Sequence, residues 1–517
     1  MATVDETRQQ ATTNGAGNGA TIAVENPATG ETIAHVPDLG AEQVSELAQK
    51  GRAAQPAWEA LGFEGRGDVM LEMRHWLVNN RDRMVETIIE ETGKTREDAL
   101  MLELFLVADG LNFWAKKSQK YLAQEKVRSH SLFTIGRRLY VRYEPYGLVG
   151  VIGPWNYPLS NSFGDCIPAL MAGNSVILKP SEVTPLTSLF VEEGMRAAGC
   201  PDGVFQIATG AGESGAALID EADMIMFTGS TATGKKVMGR AAESLTPVSL
   251  ELGGKDPMIV LRDADIERAA NSAVYYGISN GGQTCIAVER IYVEEPVYDQ
   301  FVNKVVEKTR ALRQGVPGPA GTVEVGAVTF PRQAEIIEDH MKDAREKGAK
   351  ILTGGQLREG PGRFYEPTVL TGVDHSMKVM TEETFGPVLP IMKVQDADEG
   401  LRLANDSRYG LNSSVFTRDI EKGESIANRI EAGNTTINDV NVNYSAQELP
   451  FGGWKESGIG VRHGAAGIRK YCKSRSVLIA RWAPKRDVHF FPYKPRVTKL
   501  EERFLTWLHG RPPKKTR

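Results

Sequence analysis

Between residues 147 and 254 short apolar runs recur at regular intervals: GLVGVIGP (147–154), NSVILKP (174–180), GVFQIAT (203–209), ADMIMFTG (222–229) and PVSLELGG (247–254). Segments with helical spacing of apolar positions lie between them, such as TPLTSLFVEEGMRAAG at 184–199. Strand followed by helix, repeated, predicts an α/β fold with a doubly wound parallel sheet and ligands at the carboxyl ends of the strands. The alternation restarts with PMIVL and IYVEE, which predicts a second α/β domain over 254–449 after a first one over 21–124 and 146–253. No internal repeat or low-complexity array interrupts the pattern.

At 517 residues, 41% hydrophobic and 25% charged, the chain can bury a large core divided among two or three domains. A formal net charge of −5 gives no reason to expect nucleic acid as a partner. Cys166, Cys200, Cys285 and Cys472 are far apart with no C-x-x-C pair, so neither a disulfide framework nor a metal site is expected, and a reducing, cytoplasmic compartment fits best. The N-terminal MATVDETRQQATTNGAGNGA carries acidic residues and no apolar stretch. It reads as a disordered tail over residues 1–20 rather than as a targeting signal. No apolar run is long enough for a membrane-spanning helix.

Three glycine patterns compete as chemistry. Gly210, Gly212 and Gly215 form a literal G-x-G-x-x-G after an apolar strand. Gly229 ends another strand, and Ser230 opens the helix TATGKKVMGRAAE, whose first N–H groups and dipole could hold a diphosphate. GISNG at 277–281 is a formal nucleophile elbow around Ser279, the mark of a serine hydrolase, although the preceding ADIERAANSAVYYG reads as helix rather than strand. Close behind it, SNGGQTC places Cys285 after Gly281 and Gly282, glycines that would leave room for a substrate. A free cysteine is ordinarily a small buried apolar residue; as a nucleophile it needs a base or a lowered pKa. None of the eight histidines lies within thirty residues of it. Glu251, at a strand end in SLELGGKDP, is either an ion-paired side chain or a carboxylate able to activate water, with Gly253 and Gly254 opening space above it.

Eight separated segments converge on one resemblance. ENPATGE, GPWNYPL (153–159), LKPSE (178–182), FTGSTATGK (227–235), LELGGKDP (250–257), GQTC (282–285), EETFGPV (382–388) and PFGGWKESGIG (450–460) follow the order of the aldehyde dehydrogenase superfamily over roughly residues 21–480. The thirty-four residues from Glu251 to Cys285 also match the family's spacing. The resemblance implies that Cys285 attacks an aldehyde carbonyl and that the oxyanion is held by the Asn156 amide and the Cys285 backbone N–H. It further implies that Glu251 activates the water that hydrolyses the thioester to a carboxylic acid. Glu251 favours water over coenzyme A as acyl acceptor, and the three residues together argue against a non-catalytic descendant.

On the cofactor side, the resemblance assigns Lys179 and Glu182 to the adenine ribose, Gly229 and Ser230 to the diphosphate, and Gly210 and Gly212 to the adenine. Glu383 and Phe385 fall to the nicotinamide ribose, and Pro154 and Trp155 to the nicotinamide cleft. A carboxylate at Glu182 accepts hydrogen bonds from a free ribose diol and repels a 2′-phosphate, so NAD is expected, with NADP as a second cofactor. Family members acting on small acid semialdehydes often carry an arginine nine residues past the tryptophan. Here that position is Gly164, which implies a wider channel for an apolar aliphatic or aromatic aldehyde, with Tyr444 on its other wall; succinic semialdehyde is the alternative substrate. Segments 125–145 and 471–481 correspond to the family's oligomerisation strands, implying a homodimer or homotetramer. Residues 481–517 carry eleven Lys/Arg against three Asp/Glu, and KLEERFLTWLHG sets Leu500, Phe504, Trp507 and Leu508 on one helical face. That basic extension (482–517) suits packing on its own or a neighbouring subunit, or peripheral contact with an anionic membrane.

Overall fold

The computed structural model describes residues 20–481, 485–487 and 489–510, so the expected N-terminal tail lies almost wholly outside the described residues. The chain divides into two compact units, one of residues 1–122 and 144–473 and the other of residues 123–143 and 474–517.

The first unit holds two mostly parallel sheets, each with one antiparallel edge strand. One has six strands in the order Gly458–Ile459, Val248–Glu251, Met224–Thr228, Leu148–Ile152, Ser175–Lys179, Phe205–Ile207. Its five strands from 148 to 251 are parallel to one another. Chain order runs outward from Leu148–Ile152 in one direction and then reverses, so the crevice between Leu148–Ile152 and Met224–Thr228 is a topological switch point, where such sheets bind ligands. LVGVI, SVILK and MIMFT are buried at every position, the near-continuous apolar reading expected where helices cover both faces. The edge strand Gly458–Ile459 comes from the distant PFGGWKESGIG segment and pairs antiparallel with Val248–Glu251, Gly458 opposite Glu251. Such a long-range pairing has no local sequence signal.

The second sheet has seven strands in the order Lys350–Thr353, Thr368–Thr371, Val388–Val394, Val288–Glu294, Asp256–Val260, Ser414–Phe416, Thr436–Ile437. VERIYVE is buried at all seven positions. Between its strands Asp256–Val260 and Val288–Glu294 runs the helix Ile266–Ile278, started by the Asp265 carboxylate accepting from the Arg268 N–H (3.1 Å).

The second unit contains most of the three-stranded sheet Cys472–Ala480, Arg137–Pro145, Glu125–Val127, all but residues 144–145 and 472–473, and the helix Pro495–His509. Leu500, Phe504, Trp507 and Leu508 are all exposed on that helix, at 63, 48, 64 and 39%. Among the described residues no helix is long and apolar enough to cross a membrane.

Candidate active site

Cys285 follows a backbone that only glycine and asparagine adopt readily. The helix Ile266–Ile278 stops at Ser279, and Asn280, Gly281 and Gly282 take φ of 53°, 64° and 70°. Ser279 therefore sits after a helix and not on a strand-to-helix turn, which removes the geometry a serine nucleophile elbow requires. The glycines do not make room for substrate as expected. A Cβ on Gly282 would lie 2.1 Å from the Gly386 carbonyl oxygen, so its missing side chain admits backbone instead. Gln283, fully buried, locks the turn by donating to the Asn280 carbonyl (2.7 Å) and accepting from the Thr329 N–H (2.8 Å).

Asn156 is brought to the same turn. Its side-chain amide donates to the Gln283 carbonyl (2.8 Å), and the neighbouring Tyr157 hydroxyl bonds to Thr284 Oγ1 (2.8 Å). An amide nitrogen carries two hydrogens, so this bond leaves one of them unused. The Asn156 carbonyl accepts from the buried Lys94 ammonium (2.8 Å), which also pairs with Glu103 (2.6 Å). Glu103 in turn accepts from the Leu159 and Ser160 N–H groups (2.8 and 3.0 Å). Neither Lys94 nor Glu103 stands in a segment with a local chemical signature; their role is visible only in the fold.

Glu251 ends its strand buried. The space beyond it is not open: a Cβ on Gly253 would meet the Glu383 carboxylate at 2.4 Å, and one on Gly254 the Cys285 carbonyl at 2.2 Å. The glycines thus bring Glu383 and the Cys285 backbone against the strand end that carries Glu251. Burial pushes the Glu251 carboxyl up to about 7, opposed by Arg462 and Lys470. The half-buried Cys285 thiol is pushed up to about 12, chiefly by burial, with Arg462 pulling the other way and Glu383, Asp256 and Glu251 adding to the rise.

The residues assigned to a dinucleotide gather around the switch point. Pro154, Trp155 and Asn156 follow the strand Leu148–Ile152, and Gly229 and Ser230 follow Met224–Thr228. Ser230 caps the fourteen-residue helix Thr231–Ser244 by accepting from the Thr233 N–H (3.3 Å), leaving a helix N-terminus at the sheet edge. Lys179 ends the next strand and pairs with Glu182 (3.2 Å), which stays half-exposed. Gly212 has no atom within 4 Å of an added Cβ, whereas one on Gly210 would strike the Ser214 hydroxyl at 1.9 Å. Trp155 meets the Phe385 ring edge-on (5.4 Å between centroids). The turn bearing Glu383 and Phe385 is fixed by Glu289, which accepts from the Thr384 and Phe385 N–H groups (2.8 and 2.7 Å) and pairs with the buried Lys255 (2.6 Å). Lys255 lies within LELGGKDP, yet nothing local marks it as the brace of that distant turn. Glu383 accepts from the Gly254 N–H (2.8 Å) and is pushed up to about 8, first by burial and then by Glu289. A helix N-terminus for a diphosphate, a half-exposed carboxylate for a ribose and a paired aromatic cleft together fit a nicotinamide dinucleotide.

Beside Cys285 an apolar cluster of Ile286, Leu411 and Phe451 packs against the thiol and Tyr444. Tyr444 and Gly164 line one cavity with Leu106, Val107 and Trp114. A Cβ on Gly164 would have nothing within 4 Å. The Tyr444 hydroxyl donates to Asn161 Oδ1 (2.7 Å), which fixes its ring against Phe451 and His463.

A sheet of this strand order, carrying a dinucleotide crevice and joined to a second α/β sheet, is the architecture of a nicotinamide-dependent oxidoreductase. A sequence model of the aldehyde dehydrogenase family matches residues 14–477, and the chain belongs to that family. It is 39% identical over 491 residues to a 4,4'-diapolycopene aldehyde oxidase of Methylomonas sp., covering 95% of this chain and 92% of that one. To a putative succinate-semialdehyde dehydrogenase [NADP(+)] of Mycolicibacterium smegmatis it is 39% identical over 461 residues, 89% and 88% of the two chains. The solved structure of a putative aldehyde dehydrogenase from Anabaena variabilis superposes with a TM-score of 0.86 at 35% identity, covering 91% of this chain and all of the other. The protein is therefore an NAD(P)-dependent oxidoreductase acting on aldehydes.

Proposed function

We propose that the protein oxidises an apolar aldehyde to its carboxylic acid through a covalent intermediate on Cys285. The observation that supports this most is the pair of ties from Asn156 and Tyr157 to Gln283 and Thr284, which hold an amide donor beside the cysteine. The Cys285 thiol releases its proton to solvent as Sγ bonds to the carbonyl carbon and the C=O pair moves onto oxygen, and the oxygen that gains the charge is met by the second Asn156 N–H and the Cys285 backbone N–H. A bound nicotinamide supplies the hydride acceptor for the oxidation. The carbonyl then left on sulfur is a thioester. Glu251 takes a proton from water as the water oxygen attacks the acyl carbon; the C–S bond breaks and Cys285 is freed.

For the substrate, the Ile286, Leu411 and Phe451 cluster and the open space at Gly164 favour an apolar chain, and the name of the Methylomonas relative carries a 4,4'-diapolycopene aldehyde. Succinic semialdehyde, in the name of the Mycolicibacterium relative, is the second reading, since Arg462 and Lys470 also line the cavity. Arg462, however, is already paired with Asp165. The Glu182 carboxylate supports NAD, whereas the relative's name points to NADP. Reduced-cofactor absorbance with long-chain aliphatic, aromatic and succinic aldehydes, each with NAD and NADP, tests all three readings. Apolar aldehydes with NAD should win; a preference for succinic semialdehyde would overturn the substrate reading.

Filling the channel should separate substrates by size. Gly164→Trp is expected to lower kcat/KM for a long-chain aldehyde roughly 10- to 100-fold while leaving a two-carbon aldehyde within about threefold, because only the long substrate needs that volume. An equal loss on both would place the channel elsewhere.

The second unit supports two contacts. Its sheet, with Val127, Leu478 and Ile479 exposed, suits a homodimer or homotetramer. The helix Pro495–His509 suits an anionic lipid surface. Its exposed apolar face is bordered by Arg496, Lys499 and Arg503, and cations beside an apolar stripe complement such a surface. The full chain should co-sediment with phosphatidylserine-containing vesicles, less so at high salt and not at all when truncated after residue 481. Truncation that alters oligomer size with no vesicle binding in either form would assign the helix to a subunit contact.

A further inference from the structure

Beside the carboxylate of Glu251 lies a buried ion pair to which the mechanism above gives no part. Arg462 donates through Nε and Nη2 to the two oxygens of Asp165 (2.9 and 2.7 Å), and Nη2 also reaches the Thr228 hydroxyl. Three contacts fix the guanidinium plane, and its third nitrogen, Nη1, lies 3.8 Å from Glu251 Oε2. Among the described residues, Nη1 and Glu251 Oε1 are both buried with no direct protein hydrogen-bond partner. A guanidinium anchored on one carboxylate and aimed at a second one that it does not fully bind leaves that second carboxylate paired in charge yet free to accept a proton. The chain builds this from remote parts. Asp165 is on the helix Gly164–Met171, Arg462 follows the edge strand Gly458–Ile459, and Glu251 ends the strand paired with that edge.

We propose that Arg462, held by Asp165, is a positioning residue that keeps Glu251 ionised as the base. This rests on the assignment of Glu251 as the base that activates water. Of the other groups facing the carboxylate, only Lys470 also opposes its burial, and it does so less than Arg462. Lys470 contacts Ser249 Oγ (3.3 Å) and is itself pushed down by burial; Asp165 is an anion; the His463 ring is buried, pushed down to about 3 and neutral; the hydroxyls of Tyr444 and Tyr471 are pushed up and neutral. Arg462 is the largest influence opposing the burial of both Glu251 and Cys285. Its loss should therefore move both groups toward higher pH.

The test compares wild type with Arg462→Gln, Arg462→Lys and Glu251→Gln by two readouts across pH. Intact mass after a rapid quench follows decay of the acyl-enzyme, and peptide mass spectrometry follows alkylation of Cys285 by iodoacetamide in the cofactor-free protein. In Arg462→Gln both profiles should move alkaline by about one unit, so that deacylation at pH 7 is roughly tenfold slower and recovers on raising the pH. Arg462→Lys should return most of the shift, and it carries the test if the glutamine variant does not fold. Profiles unmoved in Arg462→Gln, or rates reduced equally at every pH, would overturn the proposal. Normal deacylation by Glu251→Gln would instead remove the base assignment itself, while the alkylation profile still reads the effect of Arg462 on Cys285.

Discussion

Cys285→Ala is expected to lower aldehyde oxidation roughly 10⁴-fold or more, the scale on which removing an enzyme's nucleophile acts. No other described thiol can stand in. Cys166 is buried in the helix Gly164–Met171 and donates to the Ser162 carbonyl (3.3 Å), with its thiol pushed well up by burial. Cys200 and Cys472 lie outside the Asn156 turn, so neither has that amide donor held against its own backbone. Ser279, two residues before Gly281, carries no partner arrangement of the strand-to-helix kind. The dinucleotide crevice is built from other segments, so binding of NAD, followed by fluorescence of the nearby tryptophan, should persist in the variant. Two measurements decide it: turnover by absorbance and the mass of the quenched enzyme after mixing with aldehyde and NAD. An acyl adduct still present in Cys285→Ala, or turnover within tenfold of wild type, would mean that the covalent intermediate forms elsewhere.

The parts of this site that could be read from the sequence are those whose chemistry is local. Strand-and-helix alternation from 147 to 254 reports itself because parallel strands buried on both faces must be continuously apolar, and the observed runs LVGVI, SVILK and MIMFT are. Ser230 was legible as a helix start because capping uses residues within three positions of each other. What escaped is what depends on residues far apart. The glycines before Cys285 and after Glu251 were readable as glycines but not for their purpose, since the groups they admit, Gly386, Glu383 and the Cys285 backbone, come from other segments. Arg462 follows a quoted motif by two residues, yet its significance depends on Asp165, almost three hundred residues earlier. A buried charge shows in the sequence only as an ordinary charged residue, and Lys94, Glu103, Lys255 and Glu289 are all of that kind.

Among these, Lys94 should have the largest effect on stability. Its ammonium and the Glu103 carboxylate are both fully shielded from solvent, and the pair joins the helical segment around residue 103 to the turn that carries Asn156. Replacing one member of a buried pair strands the other charge, at a cost of about 3–5 kcal/mol, well above the few tenths that an exposed pair contributes. Lys94→Met keeps the length and apolar stem of the side chain, so the loss can be ascribed to charge rather than to a cavity. Glu103 would still accept from the Leu159 and Ser160 N–H groups, but without its cation. Lys94→Met/Glu103→Gln removes the stranded charge while the amide oxygen keeps accepting from those two groups, so more than half of the lost stability should return. Activity should not return with it: the Asn156 carbonyl remains without its ammonium donor, and the amide beside Cys285 loses the anchor that aims it. Unfolding midpoints at one scan rate, set beside kcat for the wild type and the two variants, make the comparison. A single variant within about 1 kcal/mol of wild type would show that the pair's charges are not stranded by its loss, and recovery of kcat in the double variant would detach Lys94 from the placement of Asn156.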